Sequence, residues 1–540
     1  MPDHAPQSPE EWRRAIAETL GPCALPGYPT PNPLGLLQPA PPARGFLDLP
    51  SDSEISVEVV IVGGGPGGGS AALALTQAGV QTLLLEEGPA RSHFRKNYAH
   101  TARYHMQEAG TMVARGSAMM PIAAGRGLGG SSLVNSALSF RPPRRVLDQW
   151  AADLDDPSLG FDALQPLYDE VSELVGVGIT RAEISGENND LIVRGIQALG
   201  LEGGLAPRGT PGCIGCGVCY FGCPSGGKGS TNLTYLPRAH ALGLDIQAEV
   251  KVEGLIVENG VVRGVEAVAI HPDTGARGAR LRVRAKHVVL SAGAVGTPRL
   301  LWHSGAAAAL GAHTGEHLQV HPGSTIVAIC DHEVEMWKGA TQGAYFHHPD
   351  LPGVLPHTFS APPEACLVAA GFLGDRWQEG LALLPRMCGM LLMVSDKGEG
   401  RVRAFGDGRA DLVYTFADED VDRIKRGLVE VARVLQAGGA RDLYVPIHGV
   451  QMSQSPEALA KQLTDRTIKD FTLYAAHPMG TCRMSRDIGS GVVDRSGRAH
   501  GLRNLWLADA SVFPSSLGVN PQLSTMVMGT RVGRALAASG

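Results

Sequence analysis

The chain has 540 residues, 44% of them hydrophobic and 19% charged, with a formal net charge of -6. At roughly 100–200 residues per domain, that length allows two or three domains and a large core. The mild acidity argues against nucleic acid as the main partner, because no basic excess is present to neutralise phosphates.

No run of about 18 apolar residues occurs, so no transmembrane segment is expected. The first residues, "MPDHAPQSPEEWRRAIAETLG", lack a charged region followed by an apolar one, so they do not read as a signal peptide. Arg13-Arg14 reads as helix surface. Nine cysteines, an odd number, fit a reducing compartment better than a disulfide framework. A cytoplasmic protein is expected, with export to the periplasm on a partner subunit as the alternative. Glycine is abundant, with 70 in the chain against the usual roughly 7%. The glycines cluster in short groups, which points to close backbone approach to a ligand.

Residues 22–50 are rich in proline and read as an extended arm. The next stretch, "EVVIVGGGPGGGSAALALTQAGVQTLLLEEG", changes character. Val57 to Val62 is a buried-strand run, a glycine turn follows, and an Ala/Leu helix ends at Gly79. Thr82 to Leu85 is a second strand, completing a βαβ unit. Gly63, Gly65 and Gly68 form G-x-G-x-x-G. The first glycine allows the tight turn, the second lets the backbone approach a pyrophosphate, and the third permits close helix–strand packing. Glu86 ends the second strand about 20 residues on, where a ribose hydroxyl is held. Glu87 beside it is the rival acid. The pattern alone does not separate NAD from FAD.

"GCIGCGVCYFGCPSGGKGS" begins at Gly212. Its spacing is C-x2-C-x2-C-x3-C-P, through Cys213, Cys216, Cys219, Cys223 and Pro224. In bacterial ferredoxins such a run wraps an iron–sulfur cluster, but its fourth cysteine there serves a second cluster, and no second run exists here. Three readings follow. The cysteines hold one cluster, either [4Fe-4S] on all four or [3Fe-4S] on three, or a remote cysteine joins the set, with Gly215, Gly217 and Gly222 folding the loop tightly. They bind zinc, although paired C-x2-C units usually lie farther apart. Or the loop is a packed or disulfide-bonded relic. "GGKGS" is not a phosphate-binding P-loop, because Gly229 separates Lys228 from Ser230.

Alternating residues from about Asp245 to Leu290 predict an antiparallel meander, with turns at Asn259-Gly260 and Asp273-Thr274-Gly275. "GMLLMVSD" and "ADLVYTF" read as strands. Val421, Ile424, Leu428, Val431 and Leu435 make an apolar helical stripe. Cys23, Cys330, Cys366 and Cys388 are scattered and read as small core residues.

Five segments together resemble the glucose–methanol–choline oxidoreductase family. They are "GRGLGGSSLVNSALSFRP" from Gly125, "VVLSAGAVGTPRLL" from Val288, "GEHLQVHPG" from Gly315, "AAHPMGTCRMS" from Ala475, and "NLWLADASVFPSSLGVNPQLSTMVMGTRVGRAL" from Asn504. They run in the family's order and, with the βαβ unit, cover the chain from about residue 55 onward. The resemblance implies an α/β flavoprotein. A Rossmann-like FAD-binding domain would be assembled from residues 51–150, 225–312 and 470–540. Residues 1–50 would be an N-terminal extension, 151–224 an insert ending in the cysteine loop, and 313–469 a substrate domain with a mostly antiparallel sheet covered by helices.

Carried over by position, Gly129, Gly130, Ser131, Ser132 and Asn135 would line the flavin or its phosphates. Ala292 and Gly293 would join them. Asp509 and Ala510 would meet the pyrophosphate and ribityl part, and Asn520 and Pro521 the pyrimidine end of the ring. His477 would be the catalytic base and Asn520 the second polar group. Asn520 cannot take the proton, so His477 is the base candidate. His321 is expected to be structural, in turn and domain-boundary packing. Cys482 is expected to pack near the site; His303 and His500 carry no signal.

The implied activity is FAD-dependent oxidation of an alcohol to an aldehyde or ketone. Some branches of the family carry a Cys-rich loop here followed by a pattern like "GGKGST". In one of them, the catalytic subunit of a bacterial FAD-dependent glucose dehydrogenase, the loop holds a [3Fe-4S] cluster. Electrons would then leave through a cluster to an external acceptor such as a quinone, a cytochrome or a helper subunit. The branch favours a large hydrophobic alcohol. The alternatives are a cluster-free oxidase using oxygen, a sugar dehydrogenase, or, from another reaction class, a flavin-dependent lyase or decarboxylase.

Overall fold

Ser53–Val62 lies at the centre of the first sheet, flanked in parallel by Thr82–Leu85 and Arg277–Leu290. Its inner end, Val59 to Val62, is buried, as a strand covered on both faces requires. The computed structural model describes residues 36–90, 94 and 97–539. Most of the expected proline-rich arm, with Cys23 and Arg13-Arg14, lies outside the described residues.

The sheet has seven strands. Asp245–Gln247 and Leu505–Leu507 extend it in parallel on either side, though they stand far apart in sequence. Val250–Glu258, Val261–Ile270 and Arg277–Leu290 form the expected antiparallel meander. Asn259 and Gly260 both have positive φ, as a tight hairpin turn demands. Helix Pro66–Gln77 is buried along nearly its whole length and packs against the C-terminal helix Gln522–Ser539. A Cβ at Gly529 would lie 2.3 Å from the Gly67 carbonyl oxygen, so only glycine permits this crossing.

A second sheet has six strands, all antiparallel: Ala440–Tyr444, Gly323–Cys330, Met387–Val394, Val354–Thr358, Ala344–His347 and Glu202–Leu205. Glu202–Leu205 comes from the stretch expected to be an insert. Helix Asp418–Ala437 covers this sheet with Ile424, Leu428, Val431 and Leu435, four of the five stripe residues, fully buried. Cys330 and Cys388, scattered in sequence, face each other across neighbouring strands with sulfurs 3.6 Å apart. A smaller sheet joins Glu399–Ala404 and Ala410–Thr415 to Val113–Gly116 and Met120–Pro121. The apolar core accordingly divides in two, one part around each large sheet. Among the described residues no helix is long and apolar enough to cross a membrane.

Candidate active site

The glycine turn after Ser53–Val62 is sterically closed to other residues. Gly63 has φ 106°, and a Cβ at Gly68 would lie 2.0 Å from the Gly63 carbonyl oxygen. Gly65 then precedes helix Pro66–Gln77, leaving the helix's first N–H groups open toward a phosphate. The second glycine loop meets the first: Gly129 N–H donates to the Gly64 carbonyl at 2.9 Å. A Cβ on Gly130 would sit 2.8 Å from the Gly65 Cα. Two bare backbone turns thus form one cradle.

Glu86 points inward and Glu87 outward, where Glu87 pairs loosely with Arg126. The Glu86 carboxylate accepts from the N–H groups of Gly64, Gly88 and Gly127 at 2.8, 2.9 and 3.0 Å. It therefore clamps both glycine loops, a role the spacing did not suggest. A carboxylate has about four acceptor sites, so room for a ribose hydroxyl remains. Burial pushes its pKa up, against the pull of those three donors.

The other expected cofactor residues divide into backbone and scaffold. Ser131 Oγ accepts from Gly125 N–H at 2.8 Å, and Ser132 Oγ donates to the Gly129 carbonyl at 2.6 Å, fixing the turn. Asn135 donates to Gln522, and so ties this loop to the C-terminal helix. Asp509 accepts from Ser511 N–H at 2.8 Å, Gly293 N–H at 3.0 Å and Thr297 Oγ1 at 2.5 Å. It binds the Ala292–Gly293 turn to the Ala510 turn. Gly480 N–H donates to the Ala510 carbonyl at 3.1 Å, which seats the His477 loop against this part of the cradle. Pro521 leads into helix Gln522–Ser539, its carbonyl accepting from Thr525 N–H at 2.8 Å.

His477 Nε2 lies 3.2 Å from the Asn520 amide, bringing together the two expected polar groups. His321 also enters the site: its Nδ1 is 3.3 Å from His477 Nδ1. Gly518 N–H donates to His321 Nε2 at 3.0 Å, so the proton of neutral His321 sits on Nδ1 and points at His477. With that proton directed at its Nδ1, His477 carries its own proton on Nε2, facing Asn520. An amide oxygen suits that N–H, which leaves the amide's other end for a ligand. Asn520 Oδ1 is indeed buried without a partner as the amide stands.

All three histidines here are neutral. Burial holds His321 down to about 3 and His357 to about 4. Burial, then His321 and His357, push His477 well below the ordinary imidazole value. His321 has φ 51°, and buried Asp396 holds that turn. Asp396 accepts from Val320 N–H at 2.8 Å, His321 N–H at 3.3 Å, Tyr414 Oη at 2.8 Å and Ser516 Oγ at 2.9 Å. The assignment of His321 to packing alone is thus incomplete, and His357 and Asp396 were not singled out by any motif.

Cys213, Cys216, Cys219 and Cys223 line one tight cleft, with Lys228 and Gly339 on its walls. Gly215, Gly217 and Gly222 all have positive φ, as a tightly folded loop needs. All eight cysteines among the described residues are free thiols. Among those residues no three of His, Cys, Asp or Glu converge tightly enough to hold a metal ion as they stand. Burial pushes Cys216 well up. It also raises Cys219, but neighbouring Arg208 and Lys228 outweigh it and hold that thiol low.

Comparisons with known proteins match three family models. Residues 102–323 and 397–529 match GMC oxidoreductase, and residues 56–113 match an FAD binding domain. An uncharacterized GMC-type oxidoreductase of Mycobacterium tuberculosis is 34% identical over 503 residues, covering 90% of this chain and 77% of that protein. A long-chain-alcohol oxidase of Arabidopsis thaliana is 26% identical over 87% of this chain and 66% of its own length. Among solved structures, pyridoxine 4-oxidase from Mesorbium loti superposes with a TM-score of 0.69 over 89% of this chain and 99% of its own, at 19% identity.

Proposed function

Because the chain belongs to the GMC oxidoreductase family, we propose that it oxidises a large hydrophobic alcohol to an aldehyde or ketone with His477 as base. It is an FAD-dependent oxidoreductase acting on CH–OH donors. The observation that carries the finer reading is the pair of half-buried His477 and buried Asn520, set beside the glycine cradle through the Gly480–Ala510 hydrogen bond. We take residues 51–150, 225–312 and 470–540 as the cofactor domain and 313–469 as the substrate domain, consistent with the two large sheets.

FAD, when bound, supplies the hydride acceptor. Gly63, Gly65 and Gly130 would hold its phosphates, a Cβ at Gly63 or Gly130 being excluded by the backbone against it, and Glu86 would hold its ribose. Asn520 orients the alcohol with its free amide end. His477 is neutral, as a base must be. An alkoxide forming beside Nε2 stabilises the imidazolium, so basicity rises as the proton moves. Accepting that proton at Nε2 requires the ring's own proton to be on Nδ1. The His321 contact forbids this, so His477 turns away from His321 when the alcohol binds.

The alcohol's size and apolar character rest on the long-chain-alcohol oxidase relative. A panel of long-chain, aryl, sterol and sugar alcohols, assayed with a two-electron dye and with oxygen, tests the class. Turnover of sugars alone, or a product formed without dye reduction, would contradict the proposal. The free thiols support a cytoplasmic setting.

A second reading concerns the acceptor. We propose an iron–sulfur cluster on Cys213, Cys216, Cys219 and Cys223; such a group supplies one-electron transfer to an external acceptor. A polynuclear cluster sets its thiolates farther apart than one ion does, which suits four cysteines lining a shared cavity. Arg208 Nη1, buried and without a partner near Cys219, is the second mark of a missing anion. Iron, acid-labile sulfide and zinc assays on anaerobically purified protein, with EPR before and after dithionite, test it. Flavin without iron or sulfide would leave an oxygen-using oxidase, the activity its plant relative is named for.

A further inference from the structure

Two cations are buried beside the cysteine loop. Arg208 is 1% exposed and Lys228 is 2% exposed. Arginine and lysine are almost never fully buried unless paired, and an uncompensated buried charge costs several kcal/mol. Their partners among the described residues include no carboxylate. Lys228 Nζ donates to the carbonyls of Leu133 and Asn135, each at 2.8 Å. Arg208 Nε donates to the Ser136 carbonyl at 2.9 Å, and its Nη2 reaches Cys219 Sγ at 3.5 Å. Lys228 also lines the cysteine cavity.

Each cation thus has two sides. One grips the carbonyls of residues 133–136, in the segment expected to line the flavin. The other faces the cysteines. A cluster held by four thiolates is a net anion, because the thiolates outweigh the positive charge of its iron–sulfide core. It would supply the counter-charge that no carboxylate among the described residues provides.

We infer that Arg208 and Lys228 form a cationic bridge that compensates an anionic iron–sulfur cluster in the cysteine cavity and ties it to the flavin-facing segment Leu133–Ser136. This rests on the cluster reading. Reducing the cluster adds one electron and one negative charge, so nearby cations favour the reduced form and raise the midpoint potential.

The test is a dye-mediated EPR redox titration of anaerobic holoenzyme, with iron and sulfide counted in parallel. Lys228→Met is expected to move the midpoint to a more negative potential, whereas Lys228→Arg stays near wild type. Arg208→Gln and Arg208→Lys give the same comparison if Lys228→Met fails to fold. Lower iron occupancy in the neutral variants, restored in the charge-keeping ones, also supports the bridge. A neutral variant with full iron and an unchanged midpoint overturns it while leaving the cluster intact. Wild-type protein with neither iron nor sulfide overturns the cluster reading, and the bridge with it.

Discussion

His321 Nδ1 stands 3.3 Å from His477 Nδ1, and its other ring nitrogen accepts from Gly518 N–H at 3.0 Å. One backbone N–H thereby sets the proton order of two imidazoles. In substrate-free enzyme, long-range 1H–15N correlation is expected to show neutral His477 protonated on Nε2. In His321→Leu the constraint is gone, and the Nδ1-protonated form is expected to gain population. A wild-type His477 already protonated on Nδ1 would contradict the relay.

His477→Ala removes the base and leaves the cradle intact. The turnover rate is expected to fall roughly 10²–10⁴-fold, the usual worth of general-base catalysis. FAD content, read from the visible absorbance of the purified protein, should stay near wild type. Loss of flavin together with activity would recast His477 as a structural residue.

The buried histidines make stability depend on pH. His321 is held down to about 3 and His357 to about 4 by burial, whereas an unfolded-chain imidazole protonates near 6.5. As pH falls below about 6.5, the unfolded chain binds protons that the folded chain refuses. Their contribution is therefore full above that pH and is lost on the way to about 4. Each site costs up to about 1.4 kcal/mol per pH unit across that window. His357→Gln is expected to flatten the fall in Tm between pH 6.5 and 4; a slope parallel to wild type would count against it.

Asp396 joins three segments, accepting from Val320, Tyr414 and Ser516 as well as His321. Asp396→Asn turns one acceptor oxygen into a donor and leaves two buried donors without partners. The expected destabilisation is roughly 2–4 kcal/mol, at about 1–3 kcal/mol for each group left unsatisfied. Urea unfolding measures it, and an unchanged midpoint would show that the turn holds without Asp396.

Gly68→Ala should be the most damaging small change. Its Cβ would lie 2.0 Å from a backbone oxygen, where nothing flexible can give way. FAD-free or insoluble protein is expected. Normal flavin loading would mean that the two glycine loops do not form the cradle described.

Local pattern carried much of this fold. The βαβ unit, the meander and the helical stripe are contiguous and periodic, so neighbouring residues reveal them. His477 and Asn520 were legible because each lies within a long family segment. His321 lies 156 residues from His477, and no spacing rule connects them. Lys228 drew attention only as a failed P-loop lysine, and Arg208 drew none. A charged residue in a sequence reads as surface by default. Its meaning here comes from burial without a carboxylate, which only the folded chain displays. Glu86 shows the same limit: its position was legible, but its three backbone partners were not.

The most direct measurement is anaerobic stopped-flow mixing of flavin-loaded enzyme with a long-chain primary alcohol, wild type beside His477→Ala. The account expects the visible flavin absorbance of wild type to bleach as aldehyde forms, and the variant to bleach slower by about two orders of magnitude or more. Flavin that stays oxidised with long-chain, aryl and sterol alcohols alike, or that bleaches equally fast without His477, would contradict it.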